Sequence, residues 1–288
     1  MVSLSSSKFW TEVEPLLGKL QTDGPLKFVV LDQSSDMHFI LRTAEETMTS
    51  FVSHHWSGFK LIVNGNMFGA SSGDKIWAMF GFSDAPDHTQ TLGRLIDRGK
   101  IVGGGSQSQR FYFARTLKPL SKGAIGPLLP VYTSGFGDPP VNPNTMAAVG
   151  GAGPMIIDGL KYGDQNVADK SAPLPLPLTG EPPAADKPFM RQRSNTTFTS
   201  AESRPAETGK TILGFCSKQG RIIVIVQPHG GSSGTSYASI RDRLAALGVD
   251  HSVFLDGSDS VFMWHNGKFV VSPARYKDDL NTVAVGFT

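Results

Sequence analysis

The chain has 288 residues, of which 39% are hydrophobic and 18% are charged, so it is long enough and apolar enough to fold around a large core. A net charge of +2 gives no support for nucleic-acid binding, and a single cysteine, Cys216, excludes an internal disulfide and a cysteine-based zinc site. No apolar run approaches 18 residues, which predicts no membrane partner.

The N-terminal segment has no basic-then-apolar signal peptide, so a cytoplasmic location is predicted, with export by a signal-independent route left open. Apolar residues at helical spacing predict an amphipathic helix over Ser5–Leu20. Strands are predicted at Leu26–Leu31 and His38–Arg42, joined as a hairpin, with a further strand at Thr47–His54.

A short apolar strand at Lys60–Val63 runs into Asn64–Gly65. Asn-Gly commonly forms a tight hairpin turn. An asparagine at the end of a buried strand is also a natural substrate ligand, and no second strand follows at once. The pattern leaves both interpretations of Asn64 open.

The middle of the chain is predicted to hold a strand at Lys75–Phe82, a short helix at Thr89–Lys100 and a strand at Arg110–Ala114. A glycine-rich segment then leads into a strand that ends at Asp158–Gly159, which is typical of a hairpin turn. The proline-dense stretch at about 163–208 is interpreted as a surface insertion within a single domain spanning 1–288.

The most informative stretch is a strand, a Gly/Ser loop, a helix and a second strand. Arg221–Val226 is apolar throughout, as expected for a strand buried on both faces. The helix is capped by Thr235 or Ser236 and carries Tyr237 on its apolar face. The second strand is His251–Leu255. A helical crossover joins parallel strands, so both strands should end at the same sheet edge.

At that edge, ligands of open α/β sheets commonly bind. Backbone N–H groups of the Gly/Ser loop and the start of the helix are suited to an anion, and two carboxylates follow the second strand. The candidate residues are Gly230, Gly231, Ser232, Ser233, Gly234, Asp256 and Asp259. His229 is either a general acid near neutral pH or a surface loop histidine.

Closing strands are predicted at Val261–Trp264, Lys268–Val271 and Thr282–Phe287, the first two joined by a hairpin. Together, these elements predict an α+β fold: a strand-rich mixed sheet with a few helices and one β-α-β crossover near the C-terminus.

The series VNGNMFG, GGAGPMIIDG, KTILGF and the strand–SSG–helix–LDGSDS unit resembles the phosphodiester glycosidase family, the domain of the lysosomal uncovering enzyme. The resemblance covers Lys60–Phe68 and Gly150–Phe287. Matching positions are Asn64 in the family's Asn-Gly motif, Lys210 with Thr211 in its Arg-Thr motif, Ser232 in its Ser-x-Gly motif, and Asp256 with Ser260 in its Leu-Asp-Gly-Gly-Gly-Ser motif.

Several positions depart from the family pattern. Lys210 replaces an arginine, Ser258 and Asp259 replace two glycines, Gln227-Pro228-His229 stands where an Asp-Gly pair is usual, and Ser239 aligns with a glutamate. A lysine offers a point charge where arginine offers a bidentate fork.

The resemblance implies a hydrolase that cleaves the glycosidic bond of a sugar-1-phosphodiester, of the N-acetylglucosamine-1-phosphate or nucleotide-sugar type. Asp256 or Asp259 would be the nucleophile or the base that activates water, and His229 a further catalytic candidate. The expected phosphate- and substrate-binding residues are Asn64, Lys210, Gly230, Gly231, Ser232, Ser233, Gly234 and Ser260.

The expected partner is a small-molecule or glycan phosphodiester, with no cofactor and no metal site evident in the sequence. Carboxylates leave room for Ca²⁺ or Mg²⁺ bound through oxygen. Two other functions stay open: a non-catalytic binding module for phosphorylated glycans, and a toxin or phage effector that uses the same site.

Overall fold

The computed structural model describes residues 2–41, 47–55, 58–65, 68–69, 90–91, 93–106, 111–119, 128–162, 208–231, 233–257, 260–273 and 283–288. Within them the helices are Phe9–Val13 (α1), Met48–His55 (α2) and Tyr237–Ala246 (α3), with a 3-10 turn at Glu14–Leu16. The strands are Gln21–Asp23 (β1), Leu26–Asp32 (β2), Met37–Leu41 (β3), Leu61–Asn64 (β4), Phe68–Gly69 (β5), Gln90–Thr91 (β6), Leu95–Asp97 (β7), Lys100–Gly103 (β8), Phe111–Pro119 (β9), Leu128–Phe136 (β10), Thr145–Ile157 (β11), Leu160–Lys161 (β12), Lys210–Cys216 (β13), Arg221–Gln227 (β14), His251–Phe254 (β15), Met263–His265 (β16), Lys268–Val271 (β17) and Val283–Phe287 (β18).

Two large sheets form the fold. The first has the order β1-β2-β14-β13-β15-β11-β7-β8, with β9 and β12 attached to β11 and β10 attached to β9. The second has the order β17-β16-β4-β18-β3, and β5 and β6 form a small separate pair. This confirms the predicted α+β, strand-rich class.

Hydrophobic side chains build three layers of core because the central strands are apolar on both faces. The inner faces of the two sheets pack together through residues such as Val224 of β14 and Val63 of β4. The outer face of the first sheet is covered by α1 and α3, and that of the second by α2. Alternate residues of β14 therefore point into different cores, and Ile222–Gln227 are all buried.

The strands on either side of α3 are those that the sequence predicts, but they are not adjacent in the sheet. β13 lies between β14 and β15 and is antiparallel to both, so β14 and β15 run parallel without pairing directly. The strand pairs among the described residues are antiparallel, where the sequence predicts a mixed sheet. A short turn after Cys216 explains this, since it folds β13 straight back onto β14.

Several predictions for the N-terminal half are wrong. β2 and β3 form no hairpin, because β2 pairs with β1 and β14 while β3 pairs with β18 in the second sheet. Thr47–His54 is not a strand but most of α2, whose Met48 and Val52 are buried at helical spacing. The helix expected at Ser5–Leu20 is shorter, because Pro15 follows α1 and the chain continues as a 3-10 turn.

Thr89–Lys100 is not a helix. It contains β6, β7 and the first residue of β8, and the Arg98–Gly99 turn between the last two has positive φ at both residues. The Asp158–Gly159 turn is confirmed as the hairpin between β11 and β12, and the hairpin at Asn266–Gly267 is confirmed between β16 and β17. The strand predicted at Lys75–Phe82 and residues 163–207 of the proposed insertion lie outside the described residues.

Candidate functional site

The sheet edge that carries the site is formed by the ends of β14 and β15 and the beginning of β13. Lys210 lies opposite Gln227 in the β13–β14 register, and Ile212 lies opposite Phe254 in the β13–β15 register. The loop after β14 and the corner after β15 therefore flank the start of β13. This arrangement follows from the two parallel strands that the sequence predicts, with one antiparallel strand inserted between them.

Asn64 fastens the second sheet to this edge. Its Nδ2 donates to the Asp256 carbonyl at 2.8 Å, while its Oδ1 accepts from the Thr211 hydroxyl and from the Phe262 N–H at 3.3 Å. The side chain is only 1% exposed. Asn64 is therefore a buried residue that holds the Asp256 backbone in position.

The Asp256 carboxylate stands at a rigid corner. Its backbone N–H donates to the Gly65 carbonyl at 3.2 Å, and the preceding Leu255 N–H donates to the Thr211 carbonyl at 2.9 Å. Asp256 Oδ1 accepts from the Gly257 N–H at 2.9 Å, and the residue is half-buried. Bonds to two neighbouring segments therefore hold the backbone at this corner, and the Gly257 N–H orients the carboxylate, which stays partly accessible.

Lys210 is a fully buried cation at the start of β13. Its Nζ donates to the Thr208 carbonyl at 2.7 Å and lies 5.2 Å from the centre of the Tyr237 ring. Burial lowers the pKa of the Lys210 ammonium from 10.5 to about 8. The group is therefore mostly charged at neutral pH and loses its charge under mildly alkaline conditions.

Tyr237 is the first residue of α3 and is 8% exposed. Its ring packs on Phe254 with the ring centres 4.7 Å apart. Burial, and secondarily the negative charge of Asp256, raise the pKa of the phenol. A Cβ placed on Gly257 would lie 3.1 Å from the Tyr237 hydroxyl and 2.8 Å from the Gly209 carbonyl, so glycine is needed where these groups meet.

Hydrogen bonds hold the two ends of the loop between β14 and α3, and the glycines within the loop are exposed. Gln227 Nε2 donates to the Thr208 carbonyl at 2.8 Å, and Gln227 Oε1 accepts from the Thr235 N–H at 2.8 Å. His229 Nδ1 accepts from the Gly209 N–H at 3.3 Å, which requires an unprotonated Nδ1. Gly230 and Gly231 are exposed, and Gly230 has a φ of +77° that favours glycine.

Most of the predicted site residues lie along this edge. They are Asn64, Lys210, His229, Gly230, Gly231, Ser233, Gly234, Asp256 and Ser260. Ser260 is buried, and its N–H donates to the Gly257 carbonyl at 3.4 Å. Ser232 and Asp259 lie outside the described residues.

Tyr237 and Thr208 were not predicted as residues of this edge, and Thr211 was named only as the motif neighbour of Lys210. The helical spacing of Tyr237 with Ile240 and Leu244 identified a buried face, which is correct, but the spacing does not show that the ring also covers Lys210. Gln227 carried a usable signal, because it is a polar residue that ends a buried strand.

Chemically, the edge combines a buried ammonium, an accessible glycine loop, the beginning of a helix and a fixed carboxylate. Ammonium and backbone N–H groups stabilise an oxyanion, and a carboxylate beside them accepts a proton or attacks an electrophilic carbon. In the described part of the chain, no group of three or more His, Cys, Asp or Glu side chains could hold a metal ion. None of the described helices is long and apolar enough to cross a bilayer.

Comparison with known proteins gives a likeness of fold. No family model matches the chain, and no curated protein matches it in sequence. The structure is similar to the catalytic domain of zebrafish N-acetylglucosamine-1-phosphodiester alpha-N-acetylglucosaminidase, auto-inhibited by its pro-peptide, with a TM-score of 0.53 at 15% identity over 91% of this chain and 75% of that one. It is also similar to a protein of Burkholderia pseudomallei, with a TM-score of 0.50 at 13% identity over 91% and 73% of the two chains.

These identities are low, so the likeness establishes a distant relationship of fold. The chain shares the overall fold of an enzyme's catalytic domain.

Proposed function

We propose that this chain is a hydrolase that cleaves the bond between the anomeric carbon of a sugar and the phosphate of a phosphodiester. The observation that carries the proposal is the convergence of Lys210, the Gly230–Gly231 loop and Asp256 at one sheet edge. The fold likeness to a phosphodiester glycosidase catalytic domain supports it further.

The chemistry requires stabilisation of two charges. As the bond between the anomeric carbon and the phosphate oxygen breaks, its electron pair goes to that oxygen, where the Lys210 ammonium and the loop N–H groups would stabilise the anion. This leaving group is already acidic, so it needs less protonation than an ordinary alcohol. Positive charge develops on the sugar ring and is stabilised by the Asp256 carboxylate.

Asp256 completes the reaction in one of two ways. As a general base, it takes a proton from the water whose oxygen bonds to the anomeric carbon, and the configuration inverts. As a nucleophile, it forms a glycosyl ester that water then hydrolyses, and the configuration is retained. Proton NMR of the freshly released sugar distinguishes the two routes.

The test is incubation with N-acetylglucosamine-1-phosphodiester, nucleotide sugars and related sugar-1-phosphodiesters, followed by detection of free sugar. The proposal expects release from at least one compound and its loss in Asp256→Asn. If none of the substrates is cleaved, or if the variant keeps full activity, the proposal is wrong.

A second candidate is a binding module for phosphorylated glycans without turnover. The observation that favours it is that two positions where the similar family carries carboxylates have none here. The Gln227 side-chain amide instead holds the loop, and position 239 is a serine. Calorimetry that detects glycan phosphate binding, together with no sugar release, would favour this function over the hydrolase.

A further inference from the structure

The Tyr237 side chain is more than nine-tenths buried, yet its hydroxyl has no hydrogen-bond partner among the residues that the structure describes. Tyr132, another buried tyrosine, donates its hydroxyl to the Ser35 carbonyl at 2.6 Å. In the described part of the chain, the buried side-chain atoms without a hydrogen-bond partner are Arg115 Nε and Arg221 Nε, so the Tyr237 hydroxyl oxygen is not sealed from solvent although its ring is buried. The Tyr237 hydroxyl is therefore a donor that a ligand can use.

The position of this hydroxyl points to the site. It lies beside Gly257, directly after the Asp256 carboxylate, where any side chain at position 257 would crowd it. The ring carries the Lys210 ammonium above one face and packs on Phe254. Both ends of the side chain thus belong to the edge that holds the candidate catalytic groups.

The chemistry of the neighbouring groups defines what the hydroxyl would bind. Burial and Asp256 raise the pKa of the phenol, so it stays protonated and donates its hydrogen bond. Its neighbours are the Lys210 ammonium and the beginning of α3, which favour negative charge, and the Asp256 carboxylate, which opposes it. A donor set of this kind takes an oxyanion.

We propose that the Tyr237 hydroxyl donates a hydrogen bond to a phosphoryl oxygen of the substrate, next to Lys210, and is a further binding residue of this site. The identity of the substrate rests on the proposed function. Binding of a phosphoryl oxyanion at Tyr237 does not require turnover, so it is tested separately.

The experiment compares the intact protein with Tyr237→Phe and Tyr162→Phe, using inorganic phosphate as the probe in isothermal titration calorimetry. Tyr237→Phe keeps the ring over Lys210 and removes only the hydroxyl. Loss of a hydrogen bond to a charged group should weaken phosphate binding by about tenfold or more. Tyr162 is also a buried tyrosine but packs among Phe111 and Ile157, so Tyr162→Phe should bind phosphate like the unaltered protein.

A second measurement avoids reliance on the fold of the variant. In unaltered protein labelled at tyrosine ¹³Cζ, phosphate should shift the Tyr237 resonance and leave that of Tyr162 in place. Sulfate in a parallel titration shows whether the site selects phosphate or accepts any tetrahedral oxyanion.

Unchanged phosphate affinity in folded Tyr237→Phe, an unmoved Tyr237 resonance, or no phosphate binding to the unaltered protein would overturn this inference. If phosphate binding depends on Tyr237 but no sugar-1-phosphodiester is cleaved, the proposed function fails and this inference stands. If the protein releases sugar while Tyr237→Phe keeps the same phosphate affinity and kcat/KM, this inference fails and the proposed function stands.

Discussion

Strand β15 has buried polar groups near both ends, and the two ends differ in how those groups are satisfied. At its beginning, His251 Nδ1 accepts from the Ser134 N–H at 3.2 Å, and its Nε2 lies 3.8 Å from Asp158 Oδ1. The Ser134 hydroxyl donates to the Ile156 carbonyl at 3.3 Å. Beyond the other end, the Asp256 carboxylate is partly accessible and the Tyr237 hydroxyl has no partner among the described residues.

Buried titratable groups therefore do not by themselves mark a functional site in this protein. The His251 cluster contains a serine, a histidine and an exposed aspartate, and its buried Ser134 N–H, Ser134 hydroxyl and His251 Nδ1 are hydrogen-bonded within the protein. The Asp256 end has a donor unused among the described residues, a cation of lowered pKa and an exposed loop. Unused hydrogen-bonding capacity, more than burial, separates the two ends.

The largest expected effect is the contrast between two single substitutions, each of which removes the carboxylate at one end of β15. Asp256→Asn should lower the rate of sugar release by about 10²–10⁴-fold, the range typical of a lost general base or nucleophile. Asp158→Asn should leave the rate unchanged, and asparagine tolerates the φ of +50° at that position. Steady-state kinetics on both variants measures this contrast. An equal loss of rate in the two variants would contradict the expected difference between the two ends.

Asn64→Ala should lower the free energy of unfolding. The change leaves the Thr211 hydroxyl and the Phe262 N–H without their acceptor in a buried site, at a cost of about 2–4 kcal/mol. Urea unfolding measures this loss, and Asn144→Ala, at an exposed position, should change stability by less than about 0.5 kcal/mol. Equal stability of the two variants would mean that Asn64 does not fasten the sheets together.

The charge of Lys210 should make oxyanion binding depend on pH. Its pKa of about 8 is below the ordinary value, so the ammonium is fully present below that pH and is lost as the pH rises through it. Sulfate affinity should therefore fall above about pH 8, by at most roughly tenfold for each pH unit. Titration calorimetry with sulfate, whose charge is constant in this range, measures the fall.

Lys210→Arg is the control for that pH profile, because arginine keeps its charge. A folded Lys210→Arg protein should bind sulfate with a flat profile up to about pH 10. A profile that declines equally in both proteins would assign the titration to another group.

The smallest effect is expected at His251, and it should appear in stability and not in catalysis. Burial lowers the pKa of His251, opposed by Asp250 and Asp158 and reinforced by Lys118. The unfolded chain therefore binds this proton first, so stability should fall as the pH drops below about 6.5 toward the folded pKa and stay level above. In thermal unfolding, His251→Gln should lose less stability over this pH range than the unaltered protein. An identical loss of stability in both proteins would exclude His251 as its source.

The strand–loop–helix–strand unit could be predicted because its signals are local. The apolar run of β14 spans a strand, Ser236 caps α3, and Gly248, with a φ of +77°, follows its C-terminal turn. These signals place the loop and Asp256 at one edge. They do not reveal that β13 pairs between the two strands, because strand pairing depends on the whole chain.

The failures have the same cause. Met48–His55 contains β-branched and aromatic residues that favour a strand, yet packing of Met48 and Val52 on the second sheet stabilises a helix. The polar ligand candidate Asn64 was found because it ends a strand, but only the fold shows that its amide braces Asp256. Tyr237 was predicted as core, and its position over Lys210 depends on contacts across the sheet edge.

The most direct test of the central claim is to map inorganic phosphate on the isotopically labelled protein by ¹H–¹⁵N NMR. Phosphate should cause saturable shifts of the Gly230, Gly231 and Tyr237 amides and leave those of Ser134 and Ser252, at the other end of β15, unmoved. Shifts confined to the His251 end, or none at saturating phosphate, would contradict the central claim.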